Sequence, residues 1–464
     1  MLRPQFYRLI FGISVTIILV GCQQKSTDKS RQNTKSDQII TLIARCKAKP
    51  PTEDWRGNNL IAAVEAVNAE LQAIGDKRGV RIQLIQDDKD WGAYKTEFEL
   101  ASDANQASDI ILSGHEHIGD WASANLILPI TSKIPNHPEF GDIIPSLWQA
   151  TEWNNERWGI PQDAEVRPLY YSKPILRKLG WSDERIENLP NQITKGKFTW
   201  LDMLQVAEQA VNQKIVAPGN GWWHRSQNGP DFLYYYLAHG GEILNQDGIL
   251  VFDRQVVLKV YQLLYSATHE MRVLSPNLIG MDANEWNTTI STADRVLFWF
   301  AGSWNWADWA TNYLQDFGVE SFLFKNVGFA PIPAGSTGKP ITLTHPLVYM
   351  ISTQSTHPDL ALRVIAKATT RESNTNHAVS SAHLGILKSQ KNFPSYIKAR
   401  FLSEVMYLLD FTTFLPNSPH WGSWSDAFFL GIQAVEAGDL KPAEALKVVE
   451  DQIRNDLGNY VIVR

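Results

Sequence analysis

The strongest constraint on the fold is a regular change of hydrophobic period between residues 39 and 112. Residues 39–46 form an apolar run rich in β-branched side chains, which predicts a buried strand. The next segment spaces apolar residues three or four apart and stops at a glycine, which predicts an amphipathic helix: Leu60, Val64, Val67, Leu71, Ile74 and Gly75. Strands at 80–84 and 109–112 then flank a second helix around 94–100. The order β-α-β-α-β predicts an α/β fold with a mainly parallel sheet flanked by helices.

Two loops follow strands of this predicted sheet and are therefore expected near its ligand. Ligands of parallel sheets bind beyond the carboxyl ends of the strands. Asp88 and Trp91 follow the strand at 80–84, and the segment SGHEH at 113–117 follows the next strand. These loops make Asp88, Trp91 and His115 candidate binding residues. A solvated loop is the alternative interpretation of the first two.

The first 38 residues carry the pattern of an exported lipoprotein. Arg3 and Arg8 precede an apolar run at 9–20 that is too short to cross a bilayer stably. The sequence LVGC at 19–22 resembles the lipobox of bacterial lipoproteins at all four positions. We therefore expect a signal peptide at 1–21, a lipid on Cys22 that anchors the chain to a membrane, and a solvated polar tether at 22–38. The alternative is a membrane anchor that happens to end in cysteine.

Length and charge narrow the class of protein. Removing 21 residues from 464 leaves 443, which is long for one hydrophobic core and predicts two lobes. The 43 basic and 49 acidic residues give a formal charge of -6 with both signs scattered, which argues against a nucleic-acid partner. Cys46 is the only other cysteine, so neither a disulfide nor a cysteine-based zinc site is expected, and it is predicted to be a small buried hydrophobe. The sequence has no glycine-rich phosphate loop, and we expect no cofactor.

A series of short motifs resembles the family 1 extracellular solute-binding proteins, which include the maltose and trehalose binders. Three segments of this chain resemble the hinge-crossing strand and following helix of that family: RWGIP (157–161), LYYSK (169–173) and LRKLG (176–180). Further motifs follow in the family's order: FTWLDML (198–204), GGEIL (240–244), AGSW (301–304), VGFAPIP (327–333), HLGIL (383–387) and PAEAL (442–446). Each motif is short, but their order spans nearly the whole mature chain. Two departures are Ser172 in place of asparagine and Thr344-His345-Pro346 in a stretch that is often glycine-rich.

The resemblance implies two α/β lobes, each a mainly parallel sheet flanked by helices. Crossing strands join the lobes, and the solute is enclosed between them. One lobe combines 39–158 with 333–384, and the other combines 159–332 with 385–464. It also implies a monomeric, extracytoplasmic or periplasmic subunit of an ABC importer that delivers a small carbohydrate or polyol to membrane permease subunits. The expected solute is a neutral sugar or glycoside such as trehalose, sucrose, maltose or glucosylglycerol.

A sugar site needs aromatic platforms for C–H surfaces and fixed donors and acceptors for hydroxyls. The chain has 17 tryptophans, of which we expect at least half to be packing residues. Trp304 is the strongest candidate platform because the Gly-Ser-Trp segment resembles one that carries a stacking ring in the family. The further candidates lie in tryptophan-rich or turn-rich segments: Trp222, Trp223, Trp306 and Trp421.

Glu165 is the main polar candidate because it resembles by position an acidic residue that binds sugar hydroxyls in the family. Strand alternation places Asp163 and Arg167 on the same side as Glu165. The three could form a hydrogen-bonding edge, or Arg167 could only neutralise the carboxylates.

His115 and His117 flank Glu116, a pattern that suggests a metal site. The spacing differs from H-E-x-x-H and lacks a third clear ligand, so we expect no metal there. Donation by His115 to a sugar hydroxyl is the better functional interpretation, and an exposed loop is the alternative. His345 has the same two interpretations.

The rival class is a secreted glycoside hydrolase that uses Asp163 and Glu165 as its paired carboxylates. Two acids at i and i+2 share one strand face, so they could not flank a glycosidic bond. The sequence therefore favours a binding protein over an enzyme. A purely structural surface lipoprotein would not need the series of two-lobe motifs.

Overall fold

The computed structural model describes residues 38–49, 54–315 and 320–464. The predicted signal peptide at 1–21, Cys22 and the predicted tether up to residue 37 lie outside these ranges. In the described ranges the strands are β1 (Gln38–Lys47), β2 (Arg78–Asp87), β3 (Ile110–Gly114), β4 (Glu152–Trp153), β5 (Glu156–Arg157), β6 (Ile160–Pro161), β7 (Leu169–Ser172), β8 (Trp222–Trp223), β9 (Leu250–Phe252), β10 (Phe298–Phe300), β11 (Val327–Ala330), β12 (Thr342–Leu343), β13 (Leu347–Ile351), β14 (Thr412–Thr413) and β15 (Val461–Val463).

The helices of the same ranges surround these strands. They are α1 (Trp55–Ala73), α2 (Trp91–Asp103), α3 (Ile118–Ser123), α4 (Pro145–Gln149), α5 (Lys173–Lys178), α6 (Asp183–Glu187), α7 (Leu189–Thr194), α8 (Trp200–Asn212), α9 (Leu233–Ala238), α10 (Arg254–Tyr265), α11 (Ala283–Ser291), α12 (Trp304–Asp308), α13 (Glu320–Asn326), α14 (Pro358–Ala368), α15 (Arg371–Ser381), α16 (Pro394–Lys398), α17 (Arg400–Val405), α18 (Trp421–Ala437) and α19 (Pro442–Leu457). Within the described ranges, no helix combines the length and hydrophobicity that a membrane crossing requires.

The first sheet confirms the predicted β-α-β-α-β unit. Its strand order is β2-β1-β3-β13-β6, and β1 runs parallel to both β2 and β3. Helix α1 buries Leu60, Val67 and Leu71, as the period predicts, but ends at Ala73, so that Ile74 is 61% exposed just beyond the helix. Cys46 is fully buried in β1. Burial raises the pKa of its thiol to about 11, although the nearby Arg56 has the opposite effect. A buried, neutral thiol fits the predicted role as a small hydrophobic residue.

The second sheet has mixed strand directions, unlike the mainly parallel sheet expected in each lobe. Its order is β11-β7-β10-β8, in which β7 is antiparallel to β10 and β11, whereas β10 and β8 are parallel. The reason is the path of the chain. Strand β7 starts just after the chain enters this lobe, whereas β11 ends where the chain returns toward the first lobe, so the two neighbours run in opposite directions. The two-lobed α/β fold itself is confirmed.

Two of the sequence motifs have local structural roles in the second lobe. FTWLDML begins α8, where Thr199 and Asp202 form a reciprocal capping box. Ser172, at the position where the resemblance predicts asparagine, caps α5 by accepting a 3.1 Å hydrogen bond from the Ile175 N–H. Serine and asparagine are both good N-cap residues, so this departure preserves the local structure.

Three segments of chain cross between the lobes. Residues 162–168 connect β6 to β7, and residues 331–346 connect β11 to β13. Near the third crossing, Leu387 still bridges to Ile143 of the first lobe, whereas Phe401 stacks on Trp306 of the second. Strand pairing thus joins Ile160, Pro161 and Leu387 to the first lobe. The crossing segments lie at the base of the space between the lobes.

Candidate functional site

A cleft of about 1140 Å³ separates the two lobes and is lined by both of them. The first lobe contributes Trp55, Arg56, Trp91 and Glu116. The crossing segments contribute Asp163, Glu165, Arg167 and His345. The second lobe contributes Arg225, Asp231, Trp304 and Asp308. The lining of the cleft brings together six of the sequence-predicted binding residues: Trp91, Asp163, Glu165, Arg167, Trp304 and His345. His115 is fully buried behind Glu116 and is not part of the lining.

Trp304 lies where β10 ends and α12 begins, and its ring is partly exposed to the cleft. A Cβ at Gly302 would overlap this ring, so glycine is required for the indole to fold back over its own backbone. The ring stacks at 9° on His383, and the Arg167 guanidinium carbon lies 5.1 Å from its centroid. The Gly-Ser-Trp motif therefore presents a flat apolar surface beside a cation.

A chain of buried ion pairs forms the carboxylate side of the cleft. Arg167 Nη1 lies 2.5 Å from Glu165 Oε1, and Arg167 Nε lies 2.9 Å from Asp231 Oδ1. Burial alone would lower the pKa of Arg167, but the two carboxylates outweigh it and raise that pKa. Arg167 thus neutralises both carboxylates and holds Glu165 at the cleft.

Asp163 also faces the cleft but is engaged by other protein groups. His377 Nε2 lies 3.1 Å from its carboxylate, and Arg56 Nη1 lies 3.7 Å away. Burial alone would raise the pKa of Asp163, but His383, His377 and Arg56 hold it at about 2. Asp163 therefore stays ionised and positions Arg56 at the rim of the cleft.

The histidine side of the cleft joins two distant segments. Glu116 Oε2 lies 2.6 Å from His345 Nε2, and a ring nitrogen of His115 lies within 4.8 Å of both groups. Burial alone would raise the pKa of Glu116, but His345 lowers it well below its usual value, while Glu116 raises the pKa of His345 against the effect of burial. The sequence lacked a third ligand at 115–117, and the structure brings His345 there from a position 229 residues after Glu116.

Four predicted tryptophans lie in hydrophobic cores, away from the lining of the cleft. Trp222 is fully buried against Trp200 and Phe300, and Trp223 donates its indole N–H to the Gly219 carbonyl at 2.7 Å. Trp306 stacks on Phe401 at 4.4 Å, and Trp421 stacks on Trp424 at 5.2 Å. A buried ring and a binding platform have the same sequence signal, since both are tryptophans in apolar segments. Asp88 is exposed in its loop and also lies outside the lining.

Sequence reasoning missed several residues that line the cleft. Trp55 and Arg56 begin α1, where the amphipathic pattern showed only the packing face. Arg225 and Asp231 bound the turn-rich segment after Trp223, whose glycine and proline were a usable signal for a cleft loop. His383 begins HLGIL, one of the motifs that carry the family resemblance but that suggest no ligand contact by themselves.

Two α/β lobes that enclose a cleft at their crossing segments define the two-lobed class of solute-binding proteins. The chain belongs to the family of the bacterial extracellular solute-binding proteins, whose family model matches residues 62–375. The expected family is thereby confirmed.

Individual relatives are distant in sequence and similar in fold. A protein of Brucella abortus strain 2308 described as a binding protein is 22% identical over 361 residues, covering 77% of this chain and 81% of its own. The cyclic alpha-maltosyl-1,6-maltose binding protein from Arthrobacter globiformis superimposes with a TM-score of 0.70 at 17% identity, covering 91% of this chain and 100% of its own. The sugar-binding protein MalE of Xanthomonas citri has a TM-score of 0.69 at 18% identity, covering 90% and 97%.

Proposed function

We propose that this protein is the solute-binding subunit of an ABC importer and that it captures a small neutral sugar or glycoside. The observation that carries the proposal is the placement of Trp304 beside the Glu165–Arg167 ion pair on one wall of the cleft. An aromatic face covers the C–H surface of a sugar ring, while the charged pair binds its hydroxyls. The Arthrobacter protein that binds a cyclic maltosyl-maltose and the sugar-binding protein of X. citri support this class of solute.

The charge of the cleft favours a solute without net charge. Among its described lining residues are four basic groups (Lys49, Arg56, Arg167, Arg225) and five acidic groups (Glu116, Asp163, Glu165, Asp231, Asp308). Because Asp163, Glu165 and Asp231 already have cationic partners, a charged solute would have to compete with these buried pairs. The volume accommodates a ligand of about disaccharide size, such as trehalose, sucrose, maltose or glucosylglycerol.

Glu165 supplies a fixed acceptor in this binding mode. Among the described residues, Arg167 and His345 both form their ion pairs with the Oε1 atom of Glu165. Oε2 is then available to accept hydrogen bonds from solute hydroxyls. Because Glu165 is only 7% exposed, water competes weakly for that oxygen and the hydrogen bonds gain strength.

Closure of the lobes would complete the site. Trp55 and Trp91 belong to the first lobe, and Trp304 belongs to the second. A rotation about the crossing segments would bring these rings onto opposite faces of one solute, as in hinge closure around a ligand. Trp91 is 39% exposed, so its fluorescence should respond to closure.

Delivery to a permease requires the protein to stay close to the membrane. The lipobox ending at Cys22 and the polar segment that follows support a lipid anchor on the extracytoplasmic side, with a monomer presenting its cleft to the permease. Cys22→Ser should abolish incorporation of labelled fatty acid. A variant that still incorporated label would remove the anchor from the proposal.

Calorimetric titration of the purified full chain with these four sugars tests the proposed solute class. We expect at least one to bind, and Trp304→Ala should weaken that binding by about 0.5–1.5 kcal/mol beyond the effect of lost area. Tyr460→Ala is the matched control because its ring is 60% exposed and lies outside the cleft lining. Absence of binding by every sugar, or equal affinity of wild type and Trp304→Ala, would contradict the proposal.

The contacts of Asp163 and Glu165 with cationic groups weaken the competing interpretation as a hydrolase. Glycoside hydrolysis needs one protonated carboxyl group as a general acid, and its pKa is normally raised. The pKa of Asp163 is about 2, and Glu165 contacts Arg167. Incubation of the protein with the same sugars should therefore yield no products, and turnover abolished by Glu165→Gln would favour the enzyme.

A further inference from the structure

We propose that His115, Glu116 and His345 bind one divalent transition-metal ion, with Zn²⁺ as the expected species, at the histidine side of the cleft. Each side chain offers one ligand atom, and the three atoms lie within 4.8 Å of one another. Zn²⁺ with bonds of about 2.0–2.1 Å holds tetrahedral ligand atoms about 3.4 Å apart. Binding therefore requires only a small contraction of groups that are already assembled.

His115 is prepared as a ligand by its hydrogen bond to Asn417. The Asn417 amide donates to the carbonyls of Ala150 and Glu152, at 2.8 and 2.9 Å, which fixes its orientation. Its Oδ1 must then accept the 2.9 Å hydrogen bond from His115 Nδ1, so the proton of the neutral ring lies on Nδ1. Metal-ligating histidines commonly have such a partner, which fixes the tautomer and ring orientation.

The other ring nitrogen of His115 is the least satisfied polar atom of the cluster. Nε2 is fully buried, and none of the described residues hydrogen-bonds to it. A buried acceptor without a partner is costly, and a metal ion would satisfy it.

Glu116 is folded back toward the cluster by the residue that ends β3. A Cβ at Gly114 would overlap the Glu116 carboxylate, so only glycine permits this close approach. Oε2 faces His345 Nε2 at 2.6 Å, and Oε1 lies 3.7 Å from His117 Nε2. A cation bound between Glu116 and His345 would replace the direct contact between them.

The paired strands β3 and β13 hold the two halves of the site together. Gly114 pairs with Leu347 in the antiparallel register, and the His115 N–H donates to the Pro346 carbonyl at 3.3 Å. His345 therefore lies next to His115 and Glu116 by strand pairing rather than by flexible loops. Ligands on strand ends are held more precisely than ligands on loops.

Two imidazoles and one carboxylate are a ligand set typical of Zn²⁺ sites that keep a fourth position open. The Glu116 and His345 side chains are 23% and 20% exposed, and both line the cleft, so the open position faces the solute space. Water or a solute oxygen would occupy it. The same ligand set also suits Fe²⁺, Co²⁺ and Ni²⁺, so the ion must be identified by titration.

The test is a calorimetric titration of the full chain, without a polyhistidine tag and after removal of metals by EDTA, with ZnCl₂. We expect one Zn²⁺ per chain. Glu116→Gln and His345→Gln should each lower the Zn²⁺ affinity at least about 100-fold, because even the loss of a group that hydrogen-bonds to a metal ligand costs about 10- to 100-fold. His117→Gln is the matched control, since it removes an imidazole from the same short segment but from outside the proposed ligands. It should change the affinity by less than about tenfold.

Melting temperatures of the variants show whether each variant is folded. Zn²⁺ should raise the melting temperature of wild type and His117→Gln but not that of Glu116→Gln. Absence of Zn²⁺ binding by wild type, or an equal loss in all three variants, would overturn the proposal. Sugar binding is measured on the same protein with and without EDTA. Sugar binding without Zn²⁺ binding would contradict the metal site alone, and Zn²⁺ binding without sugar binding would contradict the proposed solute alone.

Discussion

The two sides of the cleft differ in how their charges are satisfied. On the carboxylate side, Arg167 bridges Glu165 and Asp231, and Asp163 is held by His377 and Arg56. On the histidine side, Glu116 and His345 contact each other, but His115 keeps a buried Nε2 that none of the described residues satisfies. On the carboxylate side each of the three acids therefore already has a cationic partner, which suits neutral hydroxyl groups. On the histidine side, the proposed cation would supply the missing partner of His115 Nε2.

The largest effect is expected from breaking the carboxylate side at its centre. Arg167→Met leaves the buried Glu165 and Asp231 without their shared cation, which should lower the free energy of unfolding by about 3–5 kcal/mol. Denaturant unfolding of wild type and variant measures this difference.

Arg464→Met is the matched control for that experiment. Arg464 also contacts two carboxylates, Glu242 and Asp253, but its side chain is 49% exposed. Solvent screens such pairs, so the free energy of unfolding should barely change. Equal losses in both variants would show that burial does not distinguish the ion pairs of the cleft.

Acid unfolding tests whether Asp163 belongs to the satisfied side. Its folded pKa of about 2 lies below the unfolded value of about 3.9, so the ionised carboxylate stabilises the fold above about pH 4, and this contribution disappears as the pH falls toward 2. The shift corresponds to about 2–3 kcal/mol. Asp163→Asn should therefore flatten the fall in stability between about pH 4 and pH 2.

Asp88→Asn provides the comparison for the acid experiment, because Asp88 is an exposed loop residue. Its stability profile should follow that of wild type across the same pH range. An Asp163→Asn curve that also follows wild type would mean that the carboxylate is not held ionised by its neighbours.

Glu165→Gln sharpens the comparison by changing solute binding while keeping the three proposed Zn²⁺ ligands, since the amide oxygen can still face His345 Nδ1, which lies 3.8 Å from Glu165 Oε1. The amide loses one acceptor oxygen of an ionised group, and each such hydrogen bond contributes about 1.5–3 kcal/mol, so sugar affinity should fall roughly 10- to 150-fold. Calorimetry with the best-binding sugar measures the loss, and Zn²⁺ titration of the same variant serves as its internal control. Unchanged sugar affinity would remove Glu165 from the binding site.

Gly114→Ala acts on the histidine side alone. The backbone at Gly114 (φ -61, ψ 145) is accessible to alanine, but the new Cβ would overlap the Glu116 carboxylate and turn it away from His345. Zn²⁺ affinity should fall about 10- to 100-fold, as for loss of a positioning partner.

Gly422→Ala is the control for this steric effect, because the added Cβ has no described atom within 4 Å. It should leave Zn²⁺ affinity unchanged. If Gly114→Ala binds Zn²⁺ as tightly as Gly422→Ala, the observed position of the Glu116 carboxylate is not needed for the metal.

Local patterns predicted the elements that depend on neighbouring residues. The hydrophobic periods identified the parallel β-α-β-α-β unit because a strand face and a helix face repeat within a few residues. Residues 163, 165 and 167 all line the cleft, but they lie in a crossing segment between β6 and β7 and not in the strand that the alternation assumed. The Gly-Ser-Trp resemblance pointed to Trp304, and the contact between Gly302 and the ring explains why so short a segment carries that information.

The sequence by itself thus determined the α/β class and the core of the first sheet, because these follow from the spacing of residues along one segment. The tertiary structure alone decided which tryptophans reach the cleft: Trp304 lines it, while Trp306, two residues later, stacks on Phe401 in the core. It also decided the composition of the histidine cluster. His345 joins His115 and Glu116 only because β13 pairs antiparallel with β3, and pairing between strands more than 200 residues apart leaves no periodic signal in either segment.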